Sequence, residues 1–336
     1  MTLQETKTLD HQTSPRKPVR YSTFALDYLG LLLALLGLVV IFSIRAPGFF
    51  SLATFSTIAN QVPATIVVAV GMTYVLIIAG IDLSVGSVLA VSGAVLGVLM
   101  KEYHQSLAVA VLAALGTGLL CGALNGLVSV HWRLPSFIVT LGMLEIARGA
   151  THLITESRTQ YIGSSVGVIA STAVYGISLP FIVAILTAIV GQIVLSRTVF
   201  GRYMIAIGTN EEAVRLSGVD PRPVKIAVFT LIGLLSALGA VIDTARLEAA
   251  APNAGAGLEL QVIAAVVIGG TSLMGGRGSV VRSLFGVLII AVLGAGLAAE
   301  GVKDATKSII TGCVIVAAVI LDYYRHRLGK RASASA

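Results

Sequence analysis

The sequence predicts an all-α polytopic membrane protein with about ten transmembrane helices, on three observations. Only 12% of its residues are charged while 56% are hydrophobic, with a mean hydropathy of +0.94. A soluble domain carries about 25% charged residues, so most of this surface must face something apolar. The apolar runs are near twenty residues long, which is what ~30 Å of hydrocarbon requires at 1.5 Å per residue. Barrel strands would instead alternate over about ten. The basic residues also segregate to one side of the bilayer. The 36 glycines favour a closely packed bundle over a lone anchor, because small residues let membrane helices approach.

Ten segments follow along the chain: 26–44, 57–79, 82–100, 106–130, 134–154, 178–196, 224–245, 259–275, 280–298 and 307–323. The second and third meet at Gly80 and Ile81, as a tight hairpin or a broken pair. The fifth and the Gly-rich eighth are candidates for partial re-entry. Residues 1–22 form a polar tail that ends in Arg16, Lys17 and Arg20. The run behind it, Leu26 to Ile44, is too long for a signal-peptide core of about 7–15 residues, and no small-x-small cleavage site follows. It is expected to remain as the first membrane helix of a permease domain over 23–324, with a basic tail at 325–336. No strong internal repeat is visible.

With the N-terminus in the cytoplasm and every segment crossing, the cytoplasmic stretches hold sixteen of the 23 Lys and Arg residues. They are Lys7, Arg16, Lys17, Arg20, Arg133, Arg197, Arg202, Arg215, Arg222, Lys225, Arg277, Arg282, Arg325, Arg327, Lys330 and Arg331. This obeys the positive-inside rule and places both termini in the cytoplasm. It also assigns the net charge of +7 to topology, so no nucleic-acid partner is expected.

Cys121 and Cys313 lie in apolar segments and are expected to be small buried hydrophobes rather than a disulfide. The five histidines show no metal-ligand spacing, so no metal site is expected. "GGTSLMGGRGS" is a near miss for a phosphate loop: Gly275 precedes Gly276 and Arg277 where Lys then Ser or Thr is needed. Close helix packing or a helix break is the expected use. Trp132, at a segment end, is an interfacial anchor. Glu145 with Arg148, and Asp243 with Arg246, stand three apart and can pair as self-neutralising couples.

"AGIDLSVGSVLA", residues 79–90, places Asp82 among apolar residues. A charged Asp at a helix centre costs about 2.5–3.5 kcal/mol on insertion scales. Gly80 can end one helix in the left-handed region, and Asp82 can cap the next by accepting from backbone N–H groups near Ser84 and Val85. A pathway role is compatible with that cap.

The loop 197–223 holds "NEEAVRLSGV". Asn210 can cap a short helix over 209–219, Glu211 and Glu212 fill its first turn, and Gly218 can stop it. Such a stiff, capped element suits docking to a soluble partner.

This stretch resembles the coupling loop of ABC importer permeases, through Glu212, Ala213 and Gly218. Together with "GIDLSVGS" (80–87), "LPSFIVTLGML" (134–144) and "AAVVIGGTSLMGGRGS" (264–279), the chain resembles ribose-type sugar permeases of bacterial ABC importers from about 50 to 323. It departs from their pattern at Arg282 and in the charged stretch 294–308. The resemblance implies the ABC importer permease fold in the bacterial inner membrane. Its implied partners are a second permease copy or a sister permease, a cytoplasmic ABC ATPase and a periplasmic substrate-binding protein, with lipid around the bundle. Asn210, Glu211, Glu212, Ala213, Arg215 and Gly218 would then couple to the ATPase.

The solute implied is a monosaccharide or related polyol. Related permeases carry branched-chain amino acids, nucleosides or signalling furanosides. Polar residues within apolar segments are the pathway candidates: Asn60, Gln61, Asp82, Ser84, Asn125, Ser136, Thr140, Gln261, Thr271 and Ser272, with Phe137 able to pack on a sugar's apolar face. No catalytic residue or cofactor is expected, since neither a nucleophile–base pair nor a nucleotide motif is found. An ion-coupled secondary transporter is the competing class. It would need ionisable residues clustered at mid-membrane, for which Asp82 and Glu145 are the only candidates.

Overall fold

The computed structural model describes residues 21–174, 177–303, 305–314, 316–317 and 320. The expected tail at 325–336, most of that at 1–22 and part of the tenth segment lie outside these residues. The long helices are α1 (Tyr21–Arg45), α2 (Leu52–Ile77), α3 (Val85–Lys101), α4 (Leu107–His131), α5 (Ser136–Ile154), α7 (Leu179–Arg197), α8 (Val199–Leu216), α9 (Arg222–Leu247) and α11 (Val280–Ala299). Between them stand the short helices α6 (Ser164–Ser171) and α10 (Leu258–Ile268). Four two-residue strands, β1 (Gln160–Tyr161), β2 (Ala173–Val174), β3 (Ile177–Ser178) and β4 (Ala249–Ala250), form two antiparallel pairs, β1–β4 and β2–β3. Residues 305–314 are helical as well.

Among the described residues, seven helices are long and apolar enough to cross a membrane: α1, from Tyr28 onward, α2, α4, α5, α7, α9 and α11. The fold is therefore that of an all-α polytopic membrane protein. Their outward faces are rich in exposed leucine and isoleucine, such as Leu33, Leu112, Leu120 and Leu186, as lipid contact requires. The enclosed core centres on α2, where Ile66 to Ile77 is buried without interruption.

Small residues set how closely the helices approach. Gly118, Gly122 and Gly126 stand every fourth residue on α4 and face Gly233, Phe229 and Ile226 of α9. A Cβ on Gly118 or Gly122 would overlap the carbonyl oxygen of Gly233 or Phe229. This is the small-residue spacing that lets two membrane helices meet backbone to backbone.

The connections collect at two ends. At one end Ile162 and Gly163 donate to the Glu248 carbonyl, β1 pairs with β4, and Lys101 Nζ donates to Gln160 Oε1 at 2.8 Å. The Arg45–Glu300 ion pair, 3.2 Å, joins the ends of α1 and α11. At the other end Gly276 donates to the Ile77 carbonyl at 2.8 Å, and Gly208 of α8 packs against the same carbonyl. Helix α8 stays at this second end, between the end of α7 and the start of α9.

The eighth predicted segment differs. Its helix, α10, has 11 residues, about 16 Å at 1.5 Å per residue, which is half of what a crossing needs. Residues 269–279 leave the helix because Gly270, Gly275 and Gly276 take positive φ of 84°, 82° and 72°. The N-terminal half of the crossing is irregular chain. Ala250 lies against Gly97 of α3, and Gly255 lies against Gly86, a descent of about 16 Å along that helix. Gly255 and Gly257, at φ 64° and 79°, make the turns. Arg148 of α5 holds this segment, donating from Nη1 to the carbonyls of Pro252 (2.9 Å) and Ala254 (3.0 Å). Arg148 thus adds a backbone clamp to the expected couple, since non-helical backbone inside the bundle needs donors, while Glu145 and Glu259 act on it electrostatically. The fifth segment is a continuous helix of 19 residues.

Two smaller expectations change. Cys313 is exposed and Cys121 half-buried; on a helix in lipid the outward face is as apolar as the inward one. The stretch 199–209, expected within a loop, is the first part of α8. Thr198 caps it by accepting from Gly201 N at 3.2 Å, and Met204 and Ile207 are buried.

Candidate functional site

The sequence-predicted residues fall into three places. The first is the break between α2 and α3. Ala79 takes the left-handed conformation, φ 58°, where Gly80 was expected to. Gly80 is instead a close-approach residue, since a Cβ there would lie 3.2 Å from Phe229 Cζ and from the Val75 carbonyl. Helix α3 starts at Val85 with Ser84 as its N-cap residue, so Asp82 is not the N-cap. Asp82 closes a turn two residues earlier: its Oδ1 accepts from Ser84 N at 2.8 Å and from Ser84 Oγ at 2.7 Å.

Neighbouring helices complete this node. Asn125 Nδ2 of α4 donates to Ser84 Oγ at 2.9 Å. From α5, Ser136 Oγ accepts from Ile81 N at 3.0 Å and Thr140 Oγ1 accepts from Leu83 N at 3.1 Å. Asp82, Ser84, Asn125 and Thr140 are all at most 2% exposed. Backbone freed by a helix break within lipid needs such partners, and the side chains supply them from three elements. Phe137, one residue from Ser136, points outward and is 48% exposed. Thr271 and Ser272 lie nearby in the 269–279 loop and are buried. Thr271 Oγ1 is 3.5 Å from Ser283 Oγ, which accepts from Thr73 Oγ1 at 2.8 Å, and Ser272 Oγ accepts from Met274 N.

The second place is nearer the β1–β4 end. Gln61 of α2 and Gln261 of α10 line a cavity of about 360 Å³ between α2, α9, α10 and α11. Thr65, Asp243, Arg246 and Gly255 line it too. Asn60 opens onto a second cavity of about 180 Å³, whose wall also includes Arg246. Pro63 removes the N–H that would bond the Ala59 carbonyl, loosening α2 at this level. Asp243 and Arg246 form the ion pair expected of them, at 2.7 Å.

The third place is the turn between α8 and α9. Asn210 is extended (φ −162°, ψ 95°) and divides α8 in two. Its Oδ1 accepts from Ala213 N at 3.0 Å, which caps the second piece. Glu212 pairs with Arg215 at 2.7 Å and Glu211 with Lys225 at 3.0 Å. Gly218, at φ 83°, ends the piece by donating to the Arg215 carbonyl. Glu211, Glu212, Arg215 and Lys225 rim an open basin of about 740 Å³, with Arg133 of the α4–α5 turn on its far wall. The element is capped at both ends, charged and exposed.

Sequence reasoning missed Arg148, Gln160 and Lys101 as organising residues, because their partners lie 59 to 106 positions away. It also set aside Arg246, whose position between two cavities only the fold reveals.

Comparison with known proteins completes the picture. The family model for "Branched-chain amino acid transport system / permease component" matches residues 54–319. The ribose import permease protein RbsC of Escherichia coli (strain K12) is 40% identical over 296 residues, covering 87% of this chain and 92% of that protein. The fructose import permease protein FrcC of Rhizobium meliloti is 34% identical over 307 residues, covering 88% and 84%. The D-allose transport system permease protein AlsC of Escherichia coli (strain K12) is 34% identical over 315 residues, covering 93% and 96%. No solved structure matches.

Proposed function

Because the chain belongs to this permease family, on its ribose-type sugar branch, we propose that it is the transmembrane subunit of an ATP-driven monosaccharide importer. The observation that carries the reading is a family match over 54–319 that takes in all three places, the break, the cavities and the capped turn. The protein is a multi-pass component of the bacterial inner membrane, with both termini in the cytoplasm. A periplasmic binding protein delivers the solute, and a second permease, a copy or a sister chain, completes the pathway.

A polyhydroxylated solute cannot cross hydrocarbon, since each hydroxyl loses its water partners. In this reading Asn60, Gln61, Gln261 and Phe137 line its route. Asp82, Ser84, Asn125, Ser136, Thr140, Thr271 and Ser272 hold the broken helices that frame it. Energy comes from a separate cytoplasmic ABC ATPase. Closure of its subunits acts on Asn210, Glu211, Glu212, Ala213, Arg215 and Gly218, and the paired permeases pass from inward-open to outward-open. Solute shifts that balance only through different affinities for the two states.

The test is reconstitution with a cytoplasmic ABC ATPase and a periplasmic sugar-binding protein from the same bacterium. Uptake of a labelled monosaccharide that needs all three components and ATP is the expected result. Flux through this chain alone, driven by an ion gradient, overturns the reading.

A further inference from the structure

We propose that the Asp243–Arg246 pair contacts the solute and selects for neighbouring hydroxyl groups; this rests on the transport reading above. The sequence alone suggests a self-neutralising couple one turn from the end of α9. The structure gives it another setting. Arg246 lines both the cavity of about 360 Å³ and the one of about 180 Å³, so it forms their shared wall. Asp243 lines the larger. Both side chains keep access to the cavities, at 35% exposure for Arg246 and 21% for Asp243.

The chemistry of the pair fits a neutral polyol. Among the described residues, the polar partner of Arg246 is Asp243 alone, through one 2.7 Å contact from Nη2 to Oδ1. A guanidinium has five N–H donors and a carboxylate about four acceptor sites. Most of that capacity stays open toward the cavities. Donors and acceptors held side by side match two adjacent hydroxyls, each of which donates and accepts. Because the two charges cancel, the pair offers little net attraction to an anion or a cation.

The rest of the larger cavity agrees. Its volume falls at the low end of the ~300–1,000 Å³ found for small-molecule sites, which combine apolar walls with a few converging polar groups. Val62, Leu89 and Ile290 supply the apolar wall, and Gln61, Thr65 and Gln261 the other polar groups. A branched-chain amino acid would offer its carboxylate to Arg246 and its ammonium to Asp243, but it has no hydroxyls for Gln61, Thr65 and Gln261 beside them. L-leucine is therefore the control probe, and its uptake in place of the sugars overturns the selection for hydroxyls.

The experiment uses the reconstituted importer with D-ribose, D-fructose, D-allose and L-leucine as probes. Arg246→Gln and Asp243→Asn each lower sugar uptake by roughly tenfold, the worth of a hydrogen bond to a charged group. They do so unequally among the three sugars. The reversed pair, Asp243→Arg with Arg246→Asp, fails to restore uptake. Equal loss for every sugar, or recovery in the reversed pair, assigns a structural role only and overturns the inference. Wild-type uptake in the single variants overturns it alone, whereas a wild-type importer that carries none of the sugars overturns the transport reading with it. Should the variants fail to insert, Gln261→Cys with Cys121 and Cys313 replaced by Ser gives an independent measure. D-ribose at high concentration should slow its labelling by a polar maleimide, and unchanged labelling overturns the proposal.

Discussion

Ser84 donates twice to one oxygen of Asp82, from its backbone N–H at 2.8 Å and from its hydroxyl at 2.7 Å. The carboxylate is 2% exposed, so these bonds, with Asn125 behind them, hold the α2–α3 break in place of water. Asp82→Asn keeps an oxygen at the accepting position and is expected to lose about 1–2 kcal/mol, the gap between charged and neutral acceptors. Asp82→Leu leaves two buried donors of Ser84 unmet, at about 1–3 kcal/mol each, and should prevent stable insertion. Thermal unfolding in detergent separates the two; equal midpoints would refute the role.

Gly122→Val should destabilise the bundle by about 1–3 kcal/mol, the cost of overpacking, because its Cβ would overlap the Phe229 carbonyl. Gly116, two residues before Gly118, has nothing within 4 Å of a built Cβ. Gly116→Ala should therefore be neutral or stabilising by up to about 1 kcal/mol through helix propensity. If both variants melt alike, the α4–α9 contact does not depend on these glycines.

Glu212→Lys and Gly218→Asp are expected to leave membrane insertion intact and to uncouple sugar uptake from stimulated ATP hydrolysis. The first breaks the pair with Arg215. The second adds a carboxylate at φ 83°, a region Asp tolerates, to the wall of a basin that already holds Glu211 and Glu212. Asn tolerates that region, so Gly218→Asn should be milder than Gly218→Val. Uptake and ATPase assays on the same reconstituted sample decide the matter, and normal coupling in both Glu212→Lys and Gly218→Asp would count against this element.

Tyr161, 74% exposed, and Glu212, with a 60% exposed side chain, stand at opposite ends of the bundle. With Cys121 and Cys313 replaced by Ser, Tyr161→Cys should react with an impermeant maleimide on intact cells. Glu212→Cys should react only after permeabilisation. The reverse pattern would invert the topology and remove the coupling reading.

How far the sequence led depended on the range of each interaction. Crossing helices were legible because apolar runs and flanking Arg or Lys residues are local. Asp82, Ser84, Asn125 and Thr140 stood out as polar residues in apolar surroundings, and the fold gathers them at one node. The predicted segment 259–275 ran too far because hydropathy continues through "GGTSLM" while positive-φ glycines have already ended the helix. "APNAGAG", residues 251–257, carried turn residues that mark broken chain, yet only the Arg148 clamp shows where that chain runs. The helix 199–209 escaped notice because Arg202 and Thr209 dilute its apolar stripe of Phe200, Met204 and Ile207.

The α4–α9 contact also limits how this bundle can move. Where two backbones meet this closely, axial sliding would drive a carbonyl into a neighbouring Cα at the facing glycines. These two helices therefore travel as a single strut. The same interlock recurs where Gly286 of α11 meets the Ala265 carbonyl of α10 and where Gly86 of α3 meets the Gly255 carbonyl, so conformational freedom is left to the helices that pass one another without such teeth.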